Sequence, residues 1–299
     1  MFLITSYFGF VVAVAFLVLT ERAVLGLAQI RKGPNLVGPW GVIQCVTDGV
    51  KLMTKGLLLL SPASMSLYAL SPVLLMMLIM FFISCVPMPY TINSSSSNTL
   101  LLFCVLGLLS LPFMLLGFCY GSVYSTTGSV RVVGLMMSYE ILMLILIMFF
   151  KGMGGSWDWD YSINLYQTSS TLWSRLFLLL PLLALWLMEL GRTPFDLAEG
   201  ESELVSGFNV EYGGWGFLLF FFSEMLALLM MSLTFSLFSM PSYSLLSLSF
   251  FMSVFVILSL YVRAALPRFR LIDVQNFIWF RMTPLTMGMG SCMIIFMVL

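Results

Sequence analysis

Apolar residues run almost without polar interruption for about twenty positions at a time along most of this chain. A hydrocarbon core about 30 Å thick needs roughly 20 helical residues to cross it. Eight stretches reach that length: about 2–20, 67–87, 99–119, 132–150, 172–190, 214–238, 246–266 and 280–299. A β-barrel would instead alternate weakly over about ten residues, which continuous runs such as "FLLFFFSEMLALLMMSLTFSLF" do not do. The pattern predicts an all-α integral membrane protein, a single transmembrane domain over 1–299 with about eight spans.

One segment between spans has a different period. In "GVIQCVTDGVKLMTKGLLLL" (41–60), Gln44, Thr47, Asp48, Lys51, Thr54 and Lys55 recur at spacings of three and four, while Val42, Ile43, Val46, Val50, Met53 and Leu57 take the other face. That spacing predicts an amphipathic helix lying in the membrane interface, with Asp48 and Lys51 able to pair on its wet face. Spacing alone leaves open whether it is a surface anchor or shapes a cavity. The first span starts without a basic n-region or a small-residue cleavage site, so it is expected to stay in the mature protein.

Composition agrees: 61% of the 299 residues are apolar and the mean hydropathy is +1.06. Sorting Lys and Arg by alternating loops puts Arg22, Arg31, Lys32, Lys51, Lys55, Arg131, Arg192, Arg263, Arg268, Arg270 and Arg281 on one side and Lys151 and Arg175 on the other. By the positive-inside rule, both termini then lie opposite the basic loops. The opposite loops, 87–99, 151–170 and 239–244, are polar and nearly uncharged, and predict turns without chemistry. Histidine is absent and the five cysteines, Cys45, Cys85, Cys104, Cys119 and Cys292, form no C-x-x-C pair. No metal or Fe–S site is therefore expected. Cys85 and Cys104 could approach near one loop, but buried free thiols are the simpler reading.

The informative charges are carboxylates. Glu140 sits some eight residues into the fourth span and Glu224 about ten into the sixth, roughly 15 Å of helix and near the midplane. A charge at that depth costs several kcal/mol, so each is expected to face protein, be paired or be protonated. Glu189 and Glu211 lie at basic-side span ends, and between them "RTPFDLAEGESELVSGFNVEY" (192–212) adds Asp196, Glu199, Glu201 and Glu203. Every intramembrane acid thus lies between the basic surface and the midplane. Closely spaced carboxylates share protons that are easily moved, which favours a proton or ion role over a solvated loop. The arginines of "YVRAALPRFR" (261–270) are either anchors, acid partners or subunit contacts.

The segments "TERAVLGLAQIRKGPNLVGPWG" (20–41), "SYE" (138–140), "RTPFDLAEGESELVSGFNVEY" (192–212) and "RAALPRFR" (263–270) closely resemble, in order along almost the whole chain, subunit 1 of respiratory NADH:ubiquinone oxidoreductase, complex I. The resemblance implies eight transmembrane helices at the heel of the membrane arm, with peripheral quinone-site subunits docking on the basic side and other complex I membrane subunits alongside, in contact with membrane lipid. No nucleic-acid partner is expected. It implies a ubiquinone chamber shared with two peripheral subunits, with Glu21, Arg22, Gln29, Arg31, Asp48, Phe217, Phe221 and Arg263 at or near its tunnel. Flavin and Fe–S clusters lie on other subunits. It further implies an acidic path coupling quinone reduction to proton translocation, mapping onto Glu140, Glu189, Asp196, Glu199, Glu201, Glu203, Glu211 and Glu224. The location implied is the mitochondrial inner membrane, with the basic and acidic loops on the matrix side and both termini in the intermembrane space.

Some positions depart from the family pattern: "ELG" (189–191) lacks a polar pair before Arg192, Leu135 and Met136 stand where polar residues are common, and Asp273 comes one residue late after "PRFR". Two other classes bear weighing. A proton-coupled transporter would show inverted repeats around a midplane site, whereas these acids rise from one surface. A purely structural anchor would not require Glu140 and Glu224 within spans. A membrane-bound hydrogenase has a related subunit, and co-purifying soluble subunits would separate it.

Overall fold

A computed structural model describes residues 2–56, 65–86, 98–119, 122–154, 169–197, 209, 212–239 and 245–298. The described residues are predominantly helical, with no strand among them, as the long apolar runs require: in hydrocarbon a helix satisfies every backbone N–H and C=O within its own segment. The helices are α1 (Phe2–Ala28), α2 (Gln44–Thr54), α3 (Met65–Cys85), α4 (Asn98–Leu108), α5 (Ser110–Phe118), α6 (Val123–Gly154), α7 (Ser169–Glu189), α8 (Gly214–Ser239), α9 (Leu245–Ala265), α10 (Leu271–Asn276) and α11 (Thr283–Val298). Among the described residues, six segments are long and apolar enough to cross a membrane: Thr5–Ala28, Ser66–Cys85, Thr99–Phe118, Val123–Gly152, Gly214–Ser239 and Leu246–Ala265.

Several boundaries differ from those the sequence predicts. The interfacial helix is shorter than 41–60: α2 starts at Gln44 because the backbone before it is turned by Gly38, Trp40 and Gly41, all at positive φ. A Cβ on Gly41 would sit 2.5 Å from the Pro34 carbonyl oxygen, so only glycine fits that close approach. Its apolar residues Val46, Val50 and Met53 face outward, as an interfacial face should. The third span is interrupted at Leu109, between α4 and α5. Pro112 explains this, since it lacks the N–H that would bond the carbonyl of Leu108. The fourth span starts nine residues earlier than 132, because the Ser/Thr/Gly stretch 123–131 is helical although weakly apolar. The last span is preceded by α10 and by a π-helical turn, Phe277–Met282. There the Thr283 N–H bonds the carbonyl of Ile278, and Pro284 leaves the Phe280 carbonyl without its usual i+4 donor. All five cysteines are free, with Cys85 and Cys119 buried and Cys104 exposed.

Helix α8 is the centre of the molecule. It packs against α3, α7, α9, α1 and α2, and residues 228–238 are buried on every side, as expected for a helix apolar all round. Lipid tails are as apolar as leucine, so close packing rather than the hydrophobic effect holds such helices together. Trp186 of α7, Phe235 of α8 and Phe255 of α9 form a three-ring cluster, with the Trp186 ring centroid 5.6 and 5.8 Å from the two phenylalanines in tilted and edge contacts.

Helices α5 and α6 meet at Gly117, where a Cβ would collide with the Ser129 side chain. Gly117→Ala is expected to overpack this contact at a cost of about 1–3 kcal/mol. Gly134→Ala on the open face of α6, with nothing within 4 Å, is expected to be neutral or slightly stabilising. Thermal unfolding in detergent checks the contrast.

Candidate functional site

Two neighbouring arrangements occupy the basic-side half of the molecule. The first is a junction of ion pairs. Glu21, near the end of α1, is 7% exposed. It pairs with Arg263 at the end of α9 and with Arg192, just past α7, at 3.1 Å. Arg192 is delivered there because α7 ends at Glu189 and Gly191, at φ +58°, reverses the chain. The sequence places Arg192 beside Glu189, yet the structure aims it at Glu21 and places its second nitrogen 2.7 Å from the Met225 sulfur.

The segment that follows is fastened to the one after α9. Thr193 Oγ1 donates to the Arg263 carbonyl at 3.3 Å, the Phe269 N–H to the Pro194 carbonyl at 3.0 Å, and Arg268 to Asp196 Oδ2 at 2.8 Å. Phe195 and Phe269 add a ring contact at 5.4 Å. Asp196 is buried, and its Oδ1 has no partner among the described residues.

The second arrangement is a cavity of about 120 Å³ directly beneath, lined by Glu189, Glu224, Tyr139 and Phe195 together with apolar residues of α3, α6 and α8. It is roomy enough to hold water. Two buried atoms of its walls, Glu189 Oε2 and Tyr139 Oη, have no partner among the described residues, a demand that water can meet. Glu140 faces Gly107, where a Cβ would stand 3.8 Å from its Oε2. Glu189 of α7 and Glu224 of α8 thus share one cavity, of which Glu140 of α6 is not a lining residue, with Asp196 one residue from the Phe195 that lines it. Glu199, Glu201, Glu203 and Glu211 lie outside the described residues.

The residues expected at the tunnel fall into two groups. Glu21 and Arg263 belong to the junction. Arg22 pairs with Asp48 of α2 at 2.6 Å, in place of the local Asp48–Lys51 pair that spacing suggests. Phe217 and Phe221 stack at 6.3 Å on α8, which packs on both α1 and α2. Gln29 accepts from Arg31 at 2.8 Å on the exposed loop after α1. That loop presents Ile30 and Trp40 at positive φ and 97% and 88% exposed.

Sequence reasoning missed two participants and left a third open. Arg192 read as a topology charge, Arg268 as an anchor, an acid partner or a subunit contact, and nothing local marks which acid each meets. Tyr212 stands at the far end of the acidic loop, stacked on Tyr68 at 4.6 Å and with its hydroxyl 2.8 Å from Ser71 Oγ and 3.3 Å from Cys119 Sγ. Burial, then the Cys119 contact, push its phenol well above the usual tyrosine range, so it remains neutral. The aromatic run "EYGGWG" after an acidic loop is the available signal.

The model of the family described as NADH dehydrogenase matches residues 2–295. A protein of Tetraodon nigroviridis named NADH-ubiquinone oxidoreductase chain 1 is 39% identical over 295 residues, covering 93% of this chain and 88% of that relative. Proteins of the same name from Carassius auratus and Emballonura alecto are 38% and 37% identical, covering 92% and 93% of this chain and 88% and 90% of theirs.

Glu21→Gln leaves Arg192 and Arg263 facing one another without a counter-charge and is expected to destabilise by about 3–5 kcal/mol, the range for breaking a buried pair. Arg192→Gln in the same chain should recover part of that loss. Unfolding of the two single variants and the double variant measures the coupling, and strict additivity would mean that Glu21 and Arg192 do not interact.

Proposed function

The chain belongs to the NADH dehydrogenase family and is a core membrane subunit of NADH:ubiquinone oxidoreductase; from that premise we propose that it forms part of the ubiquinone access chamber and couples quinone reduction to proton translocation. The observation that carries this reading is the shared cavity of Glu189 and Glu224, roofed by the first residues of the acidic loop.

The chamber wall is assigned to Glu21, Arg22, Gln29, Arg31, Asp48, Phe217, Phe221 and Arg263. Packing of α1, α2 and α8 on one another, with an aromatic pair on α8 and the Arg22–Asp48 bridge, supports this. Chemistry at the quinone head group needs redox centres that this chain's residues do not suggest, so ubiquinone is a shared substrate and the peripheral subunits supply the electrons. Those subunits dock on the basic side, and the exposed Ile30, Leu36 and Trp40 beside Arg31 and Lys32 suit a partner surface better than water. The membrane is the mitochondrial inner membrane, with the basic face toward the matrix.

In the coupling step, reduction of the quinone draws protons and changes the charge balance at the junction above Phe195. Asp196, Glu199, Glu201, Glu203 and Glu211 carry that change along the loop. Glu189 and Glu224 receive it in the cavity and Glu140 beside it, with water able to bridge between carboxylates. A low local dielectric makes each charge felt strongly by the next.

Replacing Glu224 by Gln keeps the shape and removes the ionisable group. In the assembled complex, ubiquinone-linked NADH oxidation and its proton translocation are expected to fall by on the order of a hundredfold, while electron transfer from NADH to a water-soluble acceptor is unchanged. Normal turnover with normal pumping would remove Glu224 from the relay.

A further inference from the structure

A larger cavity, about 910 Å³, lies between α7 and the segment formed by α10 and the π-helical turn. Its walls are two facing stripes. On α7, Leu180, Leu183, Ala184 and Leu187 follow the i, i+3, i+4, i+7 spacing of one helix face. Opposite them, the π-helical turn contributes Phe277, Phe280 and Arg281. Pro194, Phe195, Leu266 and Phe269 close the basic-side end. This volume is within the range of about 300–1,000 Å³ that holds a lipid- or drug-sized ligand.

The polar groups of this groove are confined to one wall: Asp273, Asn276 and Arg281. Arg281 is exposed and takes part in none of the ion pairs among the described residues, which engage Arg22, Arg192, Arg263 and Arg268. Below it, α11 supplies 16 residues, about 24 Å of helix, so Arg281 stands near the basic-side boundary of the hydrocarbon core. Asp273 is eight residues earlier, about 12 Å nearer the aqueous phase. It leaves the seat at Arg281 to a single anion and disfavours a second one higher up. The π turn is what allows this. In a regular α-helix residues eight apart drift off one face, and the widened turn keeps Arg281 on the groove side with Asp273 and Phe277.

We propose that this groove binds an anionic phospholipid of the basic-side leaflet, its phosphate on Arg281 and an acyl chain between α7 and the π turn. A groove with apolar walls along its length and one unpaired cation at its interfacial end is complementary to an amphiphile with one anionic head. Arginine also holds phosphate with two parallel hydrogen bonds. Basic pockets between transmembrane helices on the positive-inside face are where such headgroups collect. Phe195 and Met188 line both this groove and the acid-lined cavity, so the bound chain packs on the outer side of the wall whose inner side faces Glu189. The proposal does not rest on a relay role for the acids.

The test uses the intact complex in phosphatidylcholine vesicles doped with phosphatidylglycerol or phosphatidylcholine, each carrying the same photoreactive acyl chain, and reads cross-linked peptides by mass spectrometry. The phosphatidylglycerol probe is expected to label peptides 178–189 and 271–282 about fivefold more than the phosphatidylcholine probe, the factor that one arginine at the interface supplies. Arg281→Gln should bring the two probes level. Ala184→Trp, which fills the groove and keeps Arg281, should remove labelling by both while the complex still assembles. Equal labelling by the two probes in the native complex, unlabelled groove peptides, or cross-links there to a partner polypeptide would each overturn it. The native comparison decides the matter even if a variant fails to assemble.

Discussion

Glu21, almost fully buried between Arg192 and Arg263, is the interaction on which the rest of this structure depends. One carboxylate joins three elements that are far apart in sequence: the end of α1, the chain leaving α7 and the end of α9. Arg192 is buried enough that leaving it unpaired carries a desolvation cost, while the partly exposed Arg263 ties the end of α9 to the same carboxylate. That fixes the direction in which the chain leaves Arg192. The contacts of Thr193, Pro194 and Asp196 with residues 263–269 then follow, and Phe195 is set down over the cavity that holds Glu189 and Glu224.

Length and apolarity made the helical, membrane-spanning architecture readable before any coordinates, because the bilayer permits few alternatives. What was not readable is where helices begin, and the causes are local. Residues 123–131 are too polar to score as a span but continue a helix whose neighbours support it. Residues 271–282 mix Asp and Gln with aromatics, and neither period nor hydropathy separates a π turn from a loop there.

The site shows the same division. The acids were legible because a carboxylate within an apolar run is anomalous in one dimension. Their partners were not, since spacing sees neighbours at three or four residues and nothing further. It offers Lys51 to Asp48, whereas the structure offers Arg22, 26 residues away. It offers Glu189 to Arg192, but Gly191 turns that arginine toward α1. Tyr212 is a tyrosine among eleven in the sequence, and only packing on Tyr68 and Ser71 marks it out.

Both ends of the acidic loop are thereby held, and by chemically different means. At Asp196 the hold is ionic, through Arg268, and changes with any change in charge nearby. At Tyr212 it is a stacked ring and a neutral hydroxyl network that burial keeps from ionising, so it is indifferent to such a change. In the proposed coupling, the ionic part of the hold at Asp196 responds to a proton gained or lost nearby while the α8 side does not, and Phe195, next to Asp196 in the chain, lines the acid-lined cavity. On the proposed reading, movement of the loop and movement of protons are not rival carriers of the signal. The same ion pairs that set the loop's position also set the roof over the carboxylates, so a change in one is a change in the other.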